Sequence, residues 1–176
     1  MLLDDVLKDV NVIAGTGSRG FQGLVDIERN RILSDLRLYL VAEADKAQRE
    51  QGIATVVMSG GALGWDAWLA RAAMDVGLGV VFCIPNKGYG DYYWGKAGKG
   101  DNFYRMLSLG MFTEFTAEEV HNTKSLYVDG VHMNFLRNQR MVDLANSFVV
   151  YDPASRGTKD CVRRIEAAQK SYRVFA

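Results

Sequence analysis

Residues Ser59 to Trp68, SGGALGWDAW, join an apolar run to an amphipathic run through three glycines, and this junction restricts what the chain can fold into. Before it, Ala54 to Met58 (ATVVM) is β-branched and apolar, the composition of a strand buried on both faces. After it, Trp65 to Gly77 carries Ala67, Ala70, Ala73 and Met74 at helical spacing and closes on a glycine placed as a helix C-cap. Gly60, Gly61 and Gly64 permit positive φ and let a ligand approach the backbone beside the unpaired N–H groups of a helix start. Each glycine costs about 0.5–1 kcal/mol relative to alanine, so a close approach is the reading preferred over a plain turn. With Ser59, the turn has the physics of a phosphate or carboxylate seat. Asp66 falls in the first helical turn, where the dipole favours its carboxylate. It reads either as a group that meets ribose hydroxyls or acts as a base or electrostatic stabiliser, or as a helix-start residue satisfying backbone N–H groups.

The remaining segments repeat the pattern. Asp9 to Thr16 is a short apolar run entering a second glycine turn, Gly15-Thr16-Gly17-Ser18-Arg19-Gly20. Asp26 to Gln51 places Leu33, Leu36, Leu40, Ala44 and Ala47 on one face, and Gly52 ends it, which predicts a long amphipathic helix. Leu78 to Ile84 is a third apolar run, ended by Pro85. Residues 86–131 are rich in Gly, Tyr and Lys and read as a long loop carrying a short helix between about Phe103 and Phe115. Helical patterning returns from Val131 to Ala145, Phe148 to Tyr151 is a fourth buried strand, and a helix follows from about Lys159 to Lys170 with Thr158 as its N-cap. Arg173 to Ala176 is a last short strand. Apolar strands alternating with helices imply an α/β fold, an open parallel sheet with helices on both faces and ligands bound outside the carboxyl ends of the strands. No repeat or linker divides residues 1–176, which read as one domain with an insertion at about 86–131.

Composition narrows the function classes. The 48% hydrophobic and 24% charged content suits a globular core, and Lys plus Arg equals Asp plus Glu at 21 each, so any anion site must be local. No apolar run approaches the ~20 residues of a membrane span, and the acidic N-terminus lacks a signal-peptide n-region, so the chain reads as cytosolic with no membrane partner. Cys83 and Cys161 lie in apolar segments without ligand-like spacing, and His121 and His132 are far apart, so no metal site is expected.

Three further constellations bear on chemistry. The GTGSR turn offers backbone donors from Gly15 to Gly17, the hydroxyls of Thr16 and Ser18, and Arg19 for a charge-assisted contact with phosphate. It lacks the dinucleotide fingerprint and a Walker A lysine, and a tight turn with a solvated arginine remains open. On the Val131–Ala145 helix, Met133, Arg137, Arg140 and Leu144 stand at i, i+4, i+7 and i+11, so two guanidiniums share a row with apolar neighbours and could face a phosphate. Gly157 and Thr158, in SRGT, follow a strand and open a helix, an arrangement suited to a phosphate oxygen or to a plain cap. Tyr89, Tyr92, Tyr93, Trp94, Lys96 and Lys99 form either a base-stacking platform or a contact with another subunit.

Taken together, GTGSR, SGGALGWD, RNQRMVD and SRGTKD, spread in this order over most of the chain, resemble the SLOG superfamily, and within it the YpsA-like proteins. The resemblance implies a Rossmann-like fold, a nucleotide or nucleotide-derived ligand in the crevice, no required cofactor, and a homodimer or higher homo-oligomer. It implies that Gly60, Gly61, Gly64 and Thr158 surround phosphate, with Arg19 and Arg137 or Arg140 as anion partners. The superfamily includes the LOG phosphoribohydrolases, which release a base from nucleoside 5′-monophosphates, and the DNA-processing protein A family, which binds single-stranded DNA. The hydrolases resemble a PGGxGTxxE pattern; here Trp68 stands near the place of the acid, and Asp66 is the nearest carboxylate. The expectation is therefore nucleotide binding as sensor, carrier or sequestering module, with N-glycosidic hydrolysis through Asp66 as the alternative. Single-stranded nucleic-acid binding is a further alternative, disfavoured by the zero net charge.

Overall fold

In the computed structural model, which describes residues 2–117, 127–128 and 131–176, six parallel strands form one sheet. A short helix α1 (Leu3–Val6) precedes β1 (Asn11–Gly17), which runs through a 3-10 turn at Arg19–Gly23 into α2 (Asp26–Gln51). Then come β2 (Thr55–Ser59), α3 (Trp65–Asp75) and β3 (Gly79–Asn86). A π-helical turn at Gly90–Trp94, α4 (Gly100–Ser108) and β4 (Phe112–Ala117) follow, and a small antiparallel pair, β5 (Tyr127–Val128) with β6 (Val131–His132), leads into α5 (Met133–Leu144). β7 (Ser147–Tyr151), α6 (Arg156–Ala167) and β8 (Ser171–Phe175) complete the chain.

Strand order is β4-β3-β2-β1-β7-β8, parallel throughout. Successive residues of each strand point to opposite faces, and both faces are covered. Ile13, Val57, Phe82 and Val149 pack with α2, α3 and the segment around α4, whereas Val12, Met58, Val81 and Phe148 pack with α1, α5 and α6. α2 has the predicted bounds. Gly52 closes it at φ +67°, a left-handed C-cap that glycine adopts without a side-chain clash.

Several boundaries differ from the sequence reading. Residues 86–131 contain a sheet strand: the helix stops at Ser108, and Phe112–Ala117 pairs with β3, so β7 is the fifth strand of the sheet. FTEFT alternates as an edge strand does, and Gly110 separates it from the helix, packed so closely that a Cβ there would lie 2.6 Å from Phe82. Pro85 does not end β3, because pairing with β4 continues through Asn86 on the side that needs no proline N–H. The last helix begins at Arg156 with Ser155 as N-cap, which puts Thr158 inside the first turn. His121 lies outside the described residues.

Candidate functional site

Strand order reverses at β1, which has β2 on one side and β7 on the other, and an open parallel sheet binds ligands at such a switch point. Pairing of Gly15, Thr16 and Gly17 with Val149, Val150 and Tyr151 brings the turn after β1 beside the turn after β7. A crevice of about 1050 Å³ opens there, lined by residues 15–20 and 155–158, by Ala62 and Asp66 from the turn after β2, and by Arg137 and Asn138 of α5. All three glycine turns therefore reach one crevice. The middle one is GTGSRG, because β1 lies between β2 and β7.

The first turn of α6 forms one wall. Ser155 Oγ donates to Thr158 Oγ1 at 2.8 Å instead of capping the helix, and the first intrahelical bond is Lys159 N–H to Ser155 O. The N–H groups of Arg156, Gly157 and Thr158 therefore have no helical acceptor where their residues line the crevice. Asn138 positions this wall by donating to Gly157 O at 3.4 Å and Asp160 Oδ2 at 3.2 Å, which ties RNQRMVD to SRGTKD. Thr16 turns its hydroxyl to Cys161, whose thiol burial pushes up to about 12.

Opposite stands an aromatic wall. Tyr89 and Tyr93 stack at 4.7 Å with planes 16° apart, and the Arg19 guanidinium lies 5.1 Å from the Tyr93 ring centre. Between the walls, Arg137 is buried and donates to Gly60 O and, at 3.1 Å, to Asn138 Oδ1. Burial opposes its charge, but Tyr89 and Asp66 outweigh that and hold its pKa above the usual arginine value. His132, at the rim, accepts from Asn134 N–H, and burial followed by Arg156 and Arg137 lowers its pKa.

No family of proteins and no curated protein matches the chain by sequence. Solved structures match by shape, two of them as follows. DNA processing protein A (DprA) from Streptococcus pneumoniae superposes with a TM-score of 0.60 at 17% identity, covering 97% of this chain and 51% of that one. The structural-genomics target TM1055 superposes with a TM-score of 0.56 at 14% identity, covering 93% of this chain and 72% of its own. The fold is Rossmann-like. The chain spans about half the length of DprA.

Within the Rossmann-like crevice, Gly15 to Arg19, Asp66, Arg137, Gly157 and Thr158 meet as the sequence places them. The others sit elsewhere. Ser59 is buried beneath the turn, where its Oγ donates to Asp66 O at 2.8 Å and accepts from Gly61 N–H at 3.2 Å. Gly60, Gly61 and Gly64 are outside the lining, and their close approaches are to the chain itself. A Cβ on Gly60 would meet Arg137 at 2.6 Å, one on Gly61 would meet Ile84 at 2.3 Å, and one on Gly64 would meet the Arg19 backbone at 2.7 Å. Arg140 points out of the crevice into an ion-pair cluster with Asp4 and with Glu114 at 2.7 Å. Sequence reasoning missed Asn138 and its partner Asp160, although an amide beside Arg137 and an acid in the facing motif carried the signal. Among the described residues, no group of three or more His, Cys, Asp or Glu is placed to hold a metal ion.

Asp66 gives the site its pH dependence. Its Oδ2 accepts from Ala62 N–H at 3.2 Å, its Oδ1 has no partner, and burial raises its pKa to about 6 against the opposing pull of Arg137. The folded state therefore holds this proton more tightly than the unfolded one, and stability falls as pH rises from about 4 through about 6, by roughly 3 kcal/mol at most. His132 acts in the opposite sense over part of that window, since its lowered pKa makes the fold lose stability on acidification. The difference between proteins isolates Asp66. Asp66→Asn, which keeps an acceptor for Ala62 N–H, is expected to melt higher than wild type at pH 8, with the gap about halved at pH 5 and closing below about pH 4 in paired thermal melts.

Proposed function

We propose that the chain is a SLOG-type protein, related to the YpsA-like group, that binds a nucleotide or nucleotide-derived molecule in this crevice as a sensor, carrier or sequestering module. The observation that carries the reading is the pairing of an anion-receptive wall with an aromatic one. Three N–H groups of the α6 first turn that have no helical acceptor, together with the turn after β1, suit phosphate oxygens, with Arg19, Arg137 and Arg156 supplying positive charge. The stacked Tyr89–Tyr93 pair suits the face of a base. The likeness to a protein that processes DNA agrees with a nucleotide-type ligand.

N-glycosidic hydrolysis is the second reading, and Asp66 is what favours it. A buried carboxyl near pKa 6 that lines the crevice, one of its oxygens without a hydrogen-bond partner among the described residues, has the proton affinity of a general acid or base. One experiment ranks the two. The protein is incubated with mononucleotides, NAD, ADP-ribose and cyclic nucleotides, with thermal shift and free-base release followed together. Binding without turnover is expected, reduced in Arg137→Met and retained in Arg140→Met, because Arg140 lies outside the crevice. Base release abolished by Asp66→Asn would replace the binding reading with hydrolysis, and no thermal shift with any compound would remove both.

A further inference from the structure

Away from the crevice, α3 and α4 flank an open groove of about 550 Å³. Its floor is apolar, with buried Ala70 and Trp94 at the bottom and Met74, Met106 and the 67% exposed Leu109 above them. Alanines on a floor let another backbone come close, and methionines adapt to whatever packs on them. The banks are cationic. Arg71 stands on the α3 side and Lys99 and Arg105 on the α4 side, and among the described residues none of them forms an ion pair. The acid of the groove, Asp75, is engaged by Arg37 at 3.2 Å. Trp68 stands in the lining, 5.3 Å from the Arg71 guanidinium.

We propose that this groove docks an acidic amphipathic helix of a partner protein. An apolar stripe would rest on the alanine and methionine floor, while carboxylates on its two flanks meet Arg71 on one bank and Lys99 and Arg105 on the other. Unpaired cations on both banks specify carboxylates on both sides of the stripe. The α3 bank from Ala67 to Asp75 is ~12 Å long, the rise of between two and three helical turns. A membrane surface would meet the banks but not a floor recessed between two helices.

The test uses the full chain and a fluorescein-labelled helical peptide of about 16 residues, ~24 Å long. The peptide carries leucines at i, i+3, i+4 and i+7 with glutamates on both flanks. Anisotropy and Trp68 fluorescence, assigned with Trp68→Phe, are expected to show saturable binding that weakens with salt. Arg71→Glu and, separately, Lys99→Glu with Arg105→Glu are expected to weaken it about tenfold or more, the scale of one lost charged contact. A peptide with lysines in place of the glutamates should not bind. These surface variants leave nucleotide thermal shifts unchanged, so the outcome is independent of the crevice. The proposal is overturned by absence of saturation, by equal binding of the lysine peptide, or by indifference to both charge reversals. It is equally overturned if phosphatidylglycerol vesicles compete the peptide off, or if light scattering shows a dimer of this chain that these substitutions dissociate.

Discussion

Gly64→Ala is expected to be the most damaging single-methyl change in the turn after β2. Gly64 sits at φ +90° and ψ −127°, a region that side chains avoid at a cost of about 1–3 kcal/mol. The added Cβ would also lie 2.7 Å from Ser18 O and from Arg19 Cα, and both are backbone atoms that cannot rotate away. Relieving that contact costs a further 1–3 kcal/mol or so, a sum of roughly 2–6 kcal/mol against a typical stability of about 5–15. The melting temperature should fall by roughly 5–25 °C. Gly52→Ala is the control. Its φ of +67° and ψ of +26° place it in the left-handed helical region, a milder strain for alanine, and nothing stands within 4 Å of the new methyl, so about 1–2 kcal/mol is the expected loss. Equal losses in chemical denaturation would mean that backbone strain alone, without contact between the turns, explains Gly64.

Arg137→Met should have the largest effect on ligand binding. Removing the guanidinium takes the donor from Gly60 O, a loss of about 1–3 kcal/mol, partly offset by the apolar replacement. It also takes away the cation that lowers the Asp66 pKa, so that carboxyl should titrate above its present value of about 6. Carbon-detected NMR of the labelled aspartates reads this directly; a fall in the Asp66 pKa would contradict the geometry. Affinity for a phosphate-bearing ligand should drop by about tenfold to a hundredfold, the worth of one charged hydrogen bond.

The sequence exposes the architecture better than the contacts made within it. Strands that are apolar on both sides and turns rich in glycine are local properties, so β1, β2, β7, α2 and the three loops can be read from windows of a few residues. β4 escapes because its FTEFT alternation sits next to a helix and resembles the helix's own spacing of aromatics. Which arginine enters the crevice also escapes. Arg137 and Arg140 share a helical face, and the choice between them rests on Asp4 and Glu114, one of which lies 136 positions from Arg140 along the chain. The glycines show a different limit. Sequence registers that something comes close to Gly15, Gly17 and Gly64, but the close neighbours are Leu69, Trp65 and the backbone of Arg19. The glycines are needed because neighbouring side chains and turns pack on them, while the crevice itself is lined by GTGSRG, Asp66 and the start of α6.

That packing has a temporal consequence. The turn after β1 is made before the facing wall at Ser155–Thr158, which emerges some 140 residues later. Until β7 inserts beside β1, the early turn has one side only. The crevice is thus a late event in folding, closed by a contact of very long sequence separation. A ligand held across it would join two segments far apart in the sequence, and its binding free energy would add to the β1–β7 contact.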